Sequence, residues 1–394
     1  MGKSTRLGSL IHVKHGFAFS GNEFSEDCSL PTVVTPGNFR IGGGFQAASR
    51  AKTFSGDYSQ QFVLNAGDLV ISMTDLSRAG DTLGAPAFIP QGGVYLHNQR
   101  IGLVKLKEPR SVDLGYLGYR LRLNDFHQYI LGTATGTTVR HTSPGRIHEF
   151  PLVVPGDSEQ RAIAEVLGAL DDKITANDEV ISRSQELAAL TWFRATRAQE
   201  SELVPLSSLA RFVNGRAYTK GATGTGRVVI RIAELNSGIG GSTVHNDIEV
   251  PDDNVAKPGD LLFAWSGSLT VARWHRPEAI INQHIFKVIP VDGRPQWLVE
   301  HALRDKLAEF QAVAADKATT MGHIQRRHLD EPVSIPGRAE AGLIGPQMEA
   351  LTDQVASFES ENLVLARTRD QLLPLLMSGK VTVKDAEDEV GGLV

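Results

Sequence analysis

The sequence predicts an α+β protein, with two similar mixed α/β domains separated by two long helices that form an intramolecular antiparallel coiled coil. Three observations predict it. Two stretches carry heptad-spaced seams, the seams are displaced by a constant 181 positions, and the segments ahead of them repeat the same short motifs in the same order. The expected division is a first globular domain over 1–155, a first long helix over 156–204, a second globular domain over 205–337 and a second long helix over 338–380. Residues 381–394 form an acidic, Gly-rich tail expected to fray.

The first helix is expected from Ser158 to about Arg197, a stretch without proline. Pro155-Gly156 punctuates the chain before it, and Asp157 with Gln160 has the spacing of a capping box. Its seam runs Ile163, Leu167, Leu170, Ile174, Asn177, Ile181, Ser184, Ala188, Thr191, and steps of four and three require a partner helix. That partner lies in the same chain. From near Pro346 a second seam runs Met348, Leu351, Val355, Phe358, Asn362, Leu365, Arg369, Leu372. Paired antiparallel, the seams bring Leu167 to Leu372, Ile174 to Leu365, Ile181 to Phe358 and Asn177 to Asn362. An Asn opposite an Asn fixes register, because any slip strands both amides in an apolar seam. Two layers are weak: Leu170 with Arg369, and Ser184 with Val355. At 1.5 Å per residue such a rod is roughly 50 to 60 Å long.

The globular segments are copies of one unit. Leu7-Gly8-Ser9-Leu10 and His15-Gly16-Phe17-Ala18-Phe19 recur 199 positions on as Leu206-Ser207-Ser208-Leu209 and Asn214-Gly215-Arg216-Ala217-Tyr218. The run Val33 to Phe39 corresponds to Val229 to Leu235, both expected to be extended. Ala66-Gly67-Asp68-Leu69 matches Pro258-Gly259-Asp260-Leu261, a turn feeding a buried strand. Asn98-Gln99-Arg100-Ile101 matches Asn282-Gln283-His284-Ile285, and Thr137-Thr138-Val139-Arg140-His141 matches Thr319-Thr320-Met321-Gly322-His323. Loops are shorter in the second copy, since the offset falls from 199 to 181. Helical patches at Leu114–Tyr129 and Trp297–Ala314 make each unit mixed rather than all-β.

Composition bounds the function. A chain of 394 residues is expected to hold two or three domains. No run approaches twenty apolar residues, the N-terminus has no signal-peptide pattern, and Cys28 is the only cysteine, so a soluble cytosolic protein without disulfides is expected. The net charge of −5 hides an asymmetry. Residues 1–155 carry 15 Lys+Arg against 11 Asp+Glu and residues 205–337 carry 15 against 14, whereas 156–204 and 338–394 each carry 5 against 10. All 12 histidines fall in the globular segments. Positive potential therefore gathers away from the helices, where a polyanion is held most easily. There is no GxxxxGK[ST] loop, no HExxH, no GxSxG elbow and no Asn/Asp-Pro-Pro-aromatic stretch, and no metal site is expected.

The ordered set of Leu-x-x-Leu, Gly-x-Ala-[Phe/Tyr], Gly-Asp-Leu-[Val/Leu], Asn-Gln-x-Ile and Thr-Thr…His…Pro occurs twice. It leads into a helix opening Glu159-Gln160-Arg161-Ala162-Ile163-Ala164, and the chain closes on Leu372-Leu373-Pro374-Leu375-Leu376-Met377-Ser378-Gly379-Lys380. This ensemble resembles the specificity subunit of Type I restriction–modification systems. The resemblance implies two target-recognition domains, each reading half of a split double-stranded DNA sequence, and helices that act as spacer and docking site for two methyltransferase subunits. It also implies restriction/translocase subunits bound through them, no catalysis by this chain, and S-adenosylmethionine, ATP and Mg on the partner subunits only.

Side chains that read base edges or hold phosphates are Arg, Lys, Asn, Gln, His, Ser and Thr. The DNA-binding candidates in the first copy are Lys14 and His15, Thr74 and Arg78, Asn98, Gln99 and Arg100, and Thr137, Arg140 and His141. Those in the second are Arg216 and Lys220, Ser266 and Ser268, Asn282, Gln283 and His284, and Lys317, Thr319, Thr320 and His323. The Asn-Gln pairs suit a structural role equally well, capping strand ends. His141 and His323 have no carboxylate or cysteine at ligand spacing and read as surface histidines. The competing class is a two-headed, non-catalytic scaffold for protein or carbohydrate, favoured by the weak positive charge of 205–337. An autonomous nuclease is disfavoured, because no carboxylate-plus-lysine cluster is visible.

Overall fold

The computed structural model describes residues 3–48, 52–77, 79–136, 139–198, 200–316 and 322–392. The chain is divided into two compact units, Met1–Asp172 with Ala366–Val394, and Lys173–Leu365. Each takes in part of both long helices, so the units cut across the expected four-part division.

The first unit holds a four-stranded antiparallel sheet in the order Ile11–His15, Ile101–Leu106, Leu69–Ser72, Pro86–Phe88. A second sheet runs Phe24–Ser25, Thr53–Phe54, Thr32–Val34, Tyr95–His97, Val63–Leu64, with Thr32–Val34 parallel to Tyr95–His97. Lys3–Arg6 pairs with Pro151–Val154, closing the unit just before its long helix. The strand Leu69–Ser72 is buried along its whole length, the outcome expected when an apolar run follows a Gly-Asp turn. Gly67 sits at φ 83° and the Asp68 carboxylate accepts the Asn65 N–H at 2.9 Å.

The second unit repeats this plan. Its four-stranded sheet runs Ala210–Asn214, Ile285–Pro290, Leu261–Ala264, Thr270–Arg273. Its second sheet runs His245–Asn246, Arg227–Ile230, Ala279–Ile281, Val255–Ala256, and Glu202–Pro205 pairs with Pro332–Ile335. The Gly-Asp turn recurs as well, with Gly259 at φ 91° and Asp260 accepting the Lys257 N–H at 2.7 Å.

The two long helices, Asp157–Ala195 and Arg338–Met377, pack together as a coiled coil. The amide layer forms as expected. Asn177 is 3 % exposed and its Nδ2 donates to Asn362 Oδ1 at 2.9 Å and to Glu361 Oε2 at 2.8 Å, while Asn362 Nδ2 donates to Asp178 Oδ1 at 2.8 Å. The weak layers are completed by polar partners that heptad spacing does not reveal. Arg369, opposite Leu170, bonds Asp171, and Ser184 donates to Gln354 Oε1 at 2.9 Å.

Several expectations are corrected. Gln160 does not form a capping box with Asp157: it is buried, donates to the Pro155 carbonyl at 2.9 Å and accepts the Asp113 N–H at 2.8 Å, tying the helix start to the globular part. The second helix does begin at Arg338, where it was expected, and Pro346 lies inside it ahead of the seam. The run Val229 to Leu235 is extended only to Ile230; the helix Ile232–Ser237 follows. The reason is shared by both copies, because a buried Asn38 or Glu234 side chain accepts the backbone N–H of Thr35 or Arg231 and turns the chain. The patch Leu114–Tyr129 is two helices, Leu114–Arg120 and Asn124–Thr133, where the second copy has one, Gln296–Asp316. The tail is not wholly frayed: Val383–Val390 is a helix capped by Thr382 with Asp385, and it buries Ala386 and Val390.

Candidate nucleic-acid interface

In the first unit the scattered motifs meet through backbone hydrogen bonds. Phe17 N–H donates to the His97 carbonyl at 2.8 Å, and Gln99 N–H returns to the Phe17 carbonyl at 2.9 Å. The approach explains the glycine before Phe17: a Cβ on Gly16 would lie 2.2 Å from the His97 oxygen and 2.3 Å from that of Asn98. Met73 joins the remaining segments, its N–H donating to the Arg100 carbonyl at 2.9 Å and its carbonyl accepting the Thr142 N–H at 3.0 Å. Thr74–Asp75 then pairs with Arg140–His141 as a short antiparallel ribbon.

The second unit rebuilds the same junction. Gln283 N–H donates to the Arg216 carbonyl at 2.8 Å, and a Cβ on Gly215 would lie 2.1 Å from the Asn282 oxygen. Trp265 takes the place of Met73. Its N–H donates to the His284 carbonyl at 3.0 Å and its carbonyl accepts the Ile324 N–H at 3.1 Å, while Ser266 bridges His323.

The candidates separate by burial. Thr74 is buried with its Oγ1 3.0 Å from His141 Nδ1, and Ser266 is buried too, so these two hold the junction rather than face solvent. Asn282 is buried and accepts the Tyr218 N–H at 3.1 Å; Asn98 accepts the Arg100 N–H at 3.0 Å. In each asparagine the side-chain oxygen is thus engaged by the backbone of its own loop. Lys14, His15, Gln99, Arg100 and His141 are exposed in the first unit, and Arg216, Lys220, Ser268 and Gln283 in the second. Arg140, His284 and His323 are half-buried. Arg78, Thr137, Lys317, Thr319 and Thr320 lie outside the described residues.

Electrostatics supports a rigid platform. His97 is buried beneath the first junction, donates to the Ile101 carbonyl at 2.9 Å, and is held below the usual histidine range by that burial. Asp75 is pushed up by burial, but amide and hydroxyl donors from Ser77 and Thr82 outweigh this, so it stays below the usual carboxylate range. Two aromatic residues at the junctions escaped the sequence reading. Phe17 is 47 % exposed and packs on Phe62 at 4.9 Å between ring centroids, and Trp265 stands 5.0 Å from the His284 ring and donates to Asn214 Oδ1 at 2.8 Å. The available signal was position, since each sits inside a repeated motif.

Among the described residues, no group of three or more His, Cys, Asp or Glu side chains comes together as metal ligands, and no helix is long and apolar enough to cross a membrane. The two units are alike in their mixed sheets, and each globular part leads into one of the two long helices. Residues 3–183, a little under half of the chain, match the family model of the Type I restriction modification DNA specificity domain. No curated protein matches. Among solved structures, the S subunit of a Type I restriction-modification system from M. genitalium is similar at 14 % identity, with a TM-score of 0.53, over 95 % of this chain and 96 % of that one. That likeness is one of fold. The HsdS subunit from Thermoanaerobacter tengcongensis matches at 15 % identity, with a TM-score of 0.33, over 96 % and 97 % of the two chains.

Proposed function

We propose that this protein is the non-catalytic, DNA-reading subunit of a Type I restriction–modification complex, binding one half of a split target with each platform. The observation that carries the reading is the duplication of one junction with different side chains on it. The backbone frame is the same in both units, while Lys14, His15, Arg100 and His141 present one chemistry and Arg216, Lys220, Gln283 and His284 another. Identical frames with unlike donors suit two different half-sites, and so an asymmetric target. The buried Thr74, Ser266 and Asn282 and the half-buried Asn98 position the loops. The paired helices set the spacing and dock two methyltransferase subunits, which bring S-adenosylmethionine, and through them the ATP-dependent restriction subunits.

Sequencing methylated adenines in a host that carries this chain with its partners gives the target, and a gel-shift series on that target then tests the reading. Binding is expected to require both half-sites. Two base pairs inserted between them, a rotation of roughly 70° on a duplex of about 10 base pairs per turn, are expected to weaken binding by orders of magnitude. Indifference to the insertion would count against a fixed spacing.

A further inference from the structure

The second unit contains a cavity of about 660 Å³ between its globular part and the long helices, walled by Ala188, Val271, Leu351 and Val355 on its apolar side. Its position within the repeat is informative. Shifted by 181, the layer Leu170–Arg369 of the first unit becomes Leu351–Ala188, and Asp171 becomes Thr352. In the first unit this place is filled by protein. Arg369 bonds Asp171, and the same carboxylate accepts Arg122 Nη1 at 2.9 Å and Tyr119 Oη at 2.8 Å. The second unit has replaced the long cation by a methyl group and the carboxylate by a threonine, and both replacements line the cavity.

The arginines facing that space are left under-partnered. Arg273 binds Glu300 through Nε and Gln296 through Nη1, but its buried Nη2 has no hydrogen-bond partner. Among the described residues, the charge attracting Arg276 is that of Glu359, itself pushed up by burial and by Asp178. Of the other lining carboxylates, Glu300 is already taken by Arg273 and Arg304 and Glu234 by Arg231, while Glu186 accepts the Ser182 hydroxyl at 3.4 Å. His275 and His301 are held below the usual range by burial, so the positive charge in the cavity belongs to arginine. The volume falls within the range of small-molecule sites, which pair apolar walls with a few convergent polar groups.

We propose that this cavity binds a small organic carboxylate, its charged end on Arg273 and Arg276 and its apolar body against Ala188, Leu351 and Val355. The ligand supplies what the first unit carries covalently: a carboxylate for the arginines and a hydrocarbon stem for the gap. A site of this kind lies apart from the nucleic-acid junctions and adds a ligand to the second unit alone.

The test is calorimetric titration of the full chain with glutarate, adipate and 4-phenylbutyrate, each beside its neutral amide. Saturable binding of at least one acid and of no amide is expected. Arg276→Gln should weaken that binding by about tenfold or more. Ala188→Arg combined with Thr352→Asp, which rebuilds the first unit's pair, should abolish it while thermal unfolding shows the fold retained. Three results would overturn the proposal: no saturation by any acid at millimolar concentration, equal binding of acid and amide, or unchanged affinity in the filled double variant. Should the double variant fail to fold, Arg276→Gln decides alone, and an unchanged affinity there overturns the proposal.

Discussion

Gly16 and Gly215 show how much one missing atom can organise. Each lies where the chain crosses a neighbouring strand closely enough that a Cβ would sit inside the contact distance of a carbonyl oxygen. Carbonyls of a paired strand cannot swing aside cheaply, so Gly16→Ala and Gly215→Ala are each expected to cost about 1–3 kcal/mol, the range for overpacking a fixed site. Chemical denaturation of the single variants measures it, and a loss well below that range means the crossing is more pliable than its geometry implies. At this scale the sequence was only partly legible. The Gly-x-Ala and Asn-Gln motifs could be found as repeats, but nothing in their spacing says that they touch each other. Nor does spacing reveal that Thr74 and Ser266 turn inward, because a polar loop residue and a buried polar hinge look alike until the partner, here His141 or His323, is placed beside it.

The paired helices are the element that spacing described best, for a period of alternating four and three follows from helix geometry and needs no tertiary information. What spacing missed is that Arg369 and Ser184 are not defects. Their partners, Asp171 and Gln354, lie one position off the seam and count as surface residues in a heptad reading. Asp171 is pushed up by burial, yet the attraction of Arg122 and Arg369 prevails and its carboxyl is held below the usual range. Asp171→Ala leaves buried Arg122 without its counter-charge while Arg369 keeps Asp370, and a loss of about 3 kcal/mol in unfolding free energy is expected. Asn177→Ala is expected to cost about 1–3 kcal/mol by leaving Asn362 Oδ1 without its donor, whereas replacing both asparagines by leucine should raise the melting temperature. A double variant less stable than the single would contradict register control by the amide pair.

For the molecule as a whole, acidification is the simplest probe. His97, His275 and His301 all have folded-state values below the usual histidine value because of burial. A group whose value is depressed on folding contributes stability that is fully present above its unfolded value, about 6.5, and is lost as the pH falls through the folded one. The melting temperature is therefore expected to drop between about pH 7 and pH 5, with a further decline below about pH 4 as Asp171 takes up a proton. A flat profile from neutrality to pH 5 in scanning calorimetry would remove the histidine argument. Binding to the target should weaken steeply with salt, each phosphate contact adding about 0.9 to the logarithmic slope. A scaffold for neutral ligands would show no such slope. The duplicated architecture was legible in the order of the motifs; the cavity of the second unit was not, because its walls come from segments far apart in sequence, with Ala188 and Thr352 standing where the first unit has Arg369 and Asp171.

A chain that carries two related seams faces a sorting problem, since either helix could seek its own twin on another molecule. The amide layer answers it. Were two first helices to meet head to tail in the equivalent alignment, Asn177 would fall opposite Ile181, and in two second helices Asn362 would oppose Phe358 and Arg369 would oppose Leu351. In this alignment amide meets amide and arginine finds its aspartate only when a first helix meets a second, so the pair that holds the helices in step also steers each helix away from its own twin.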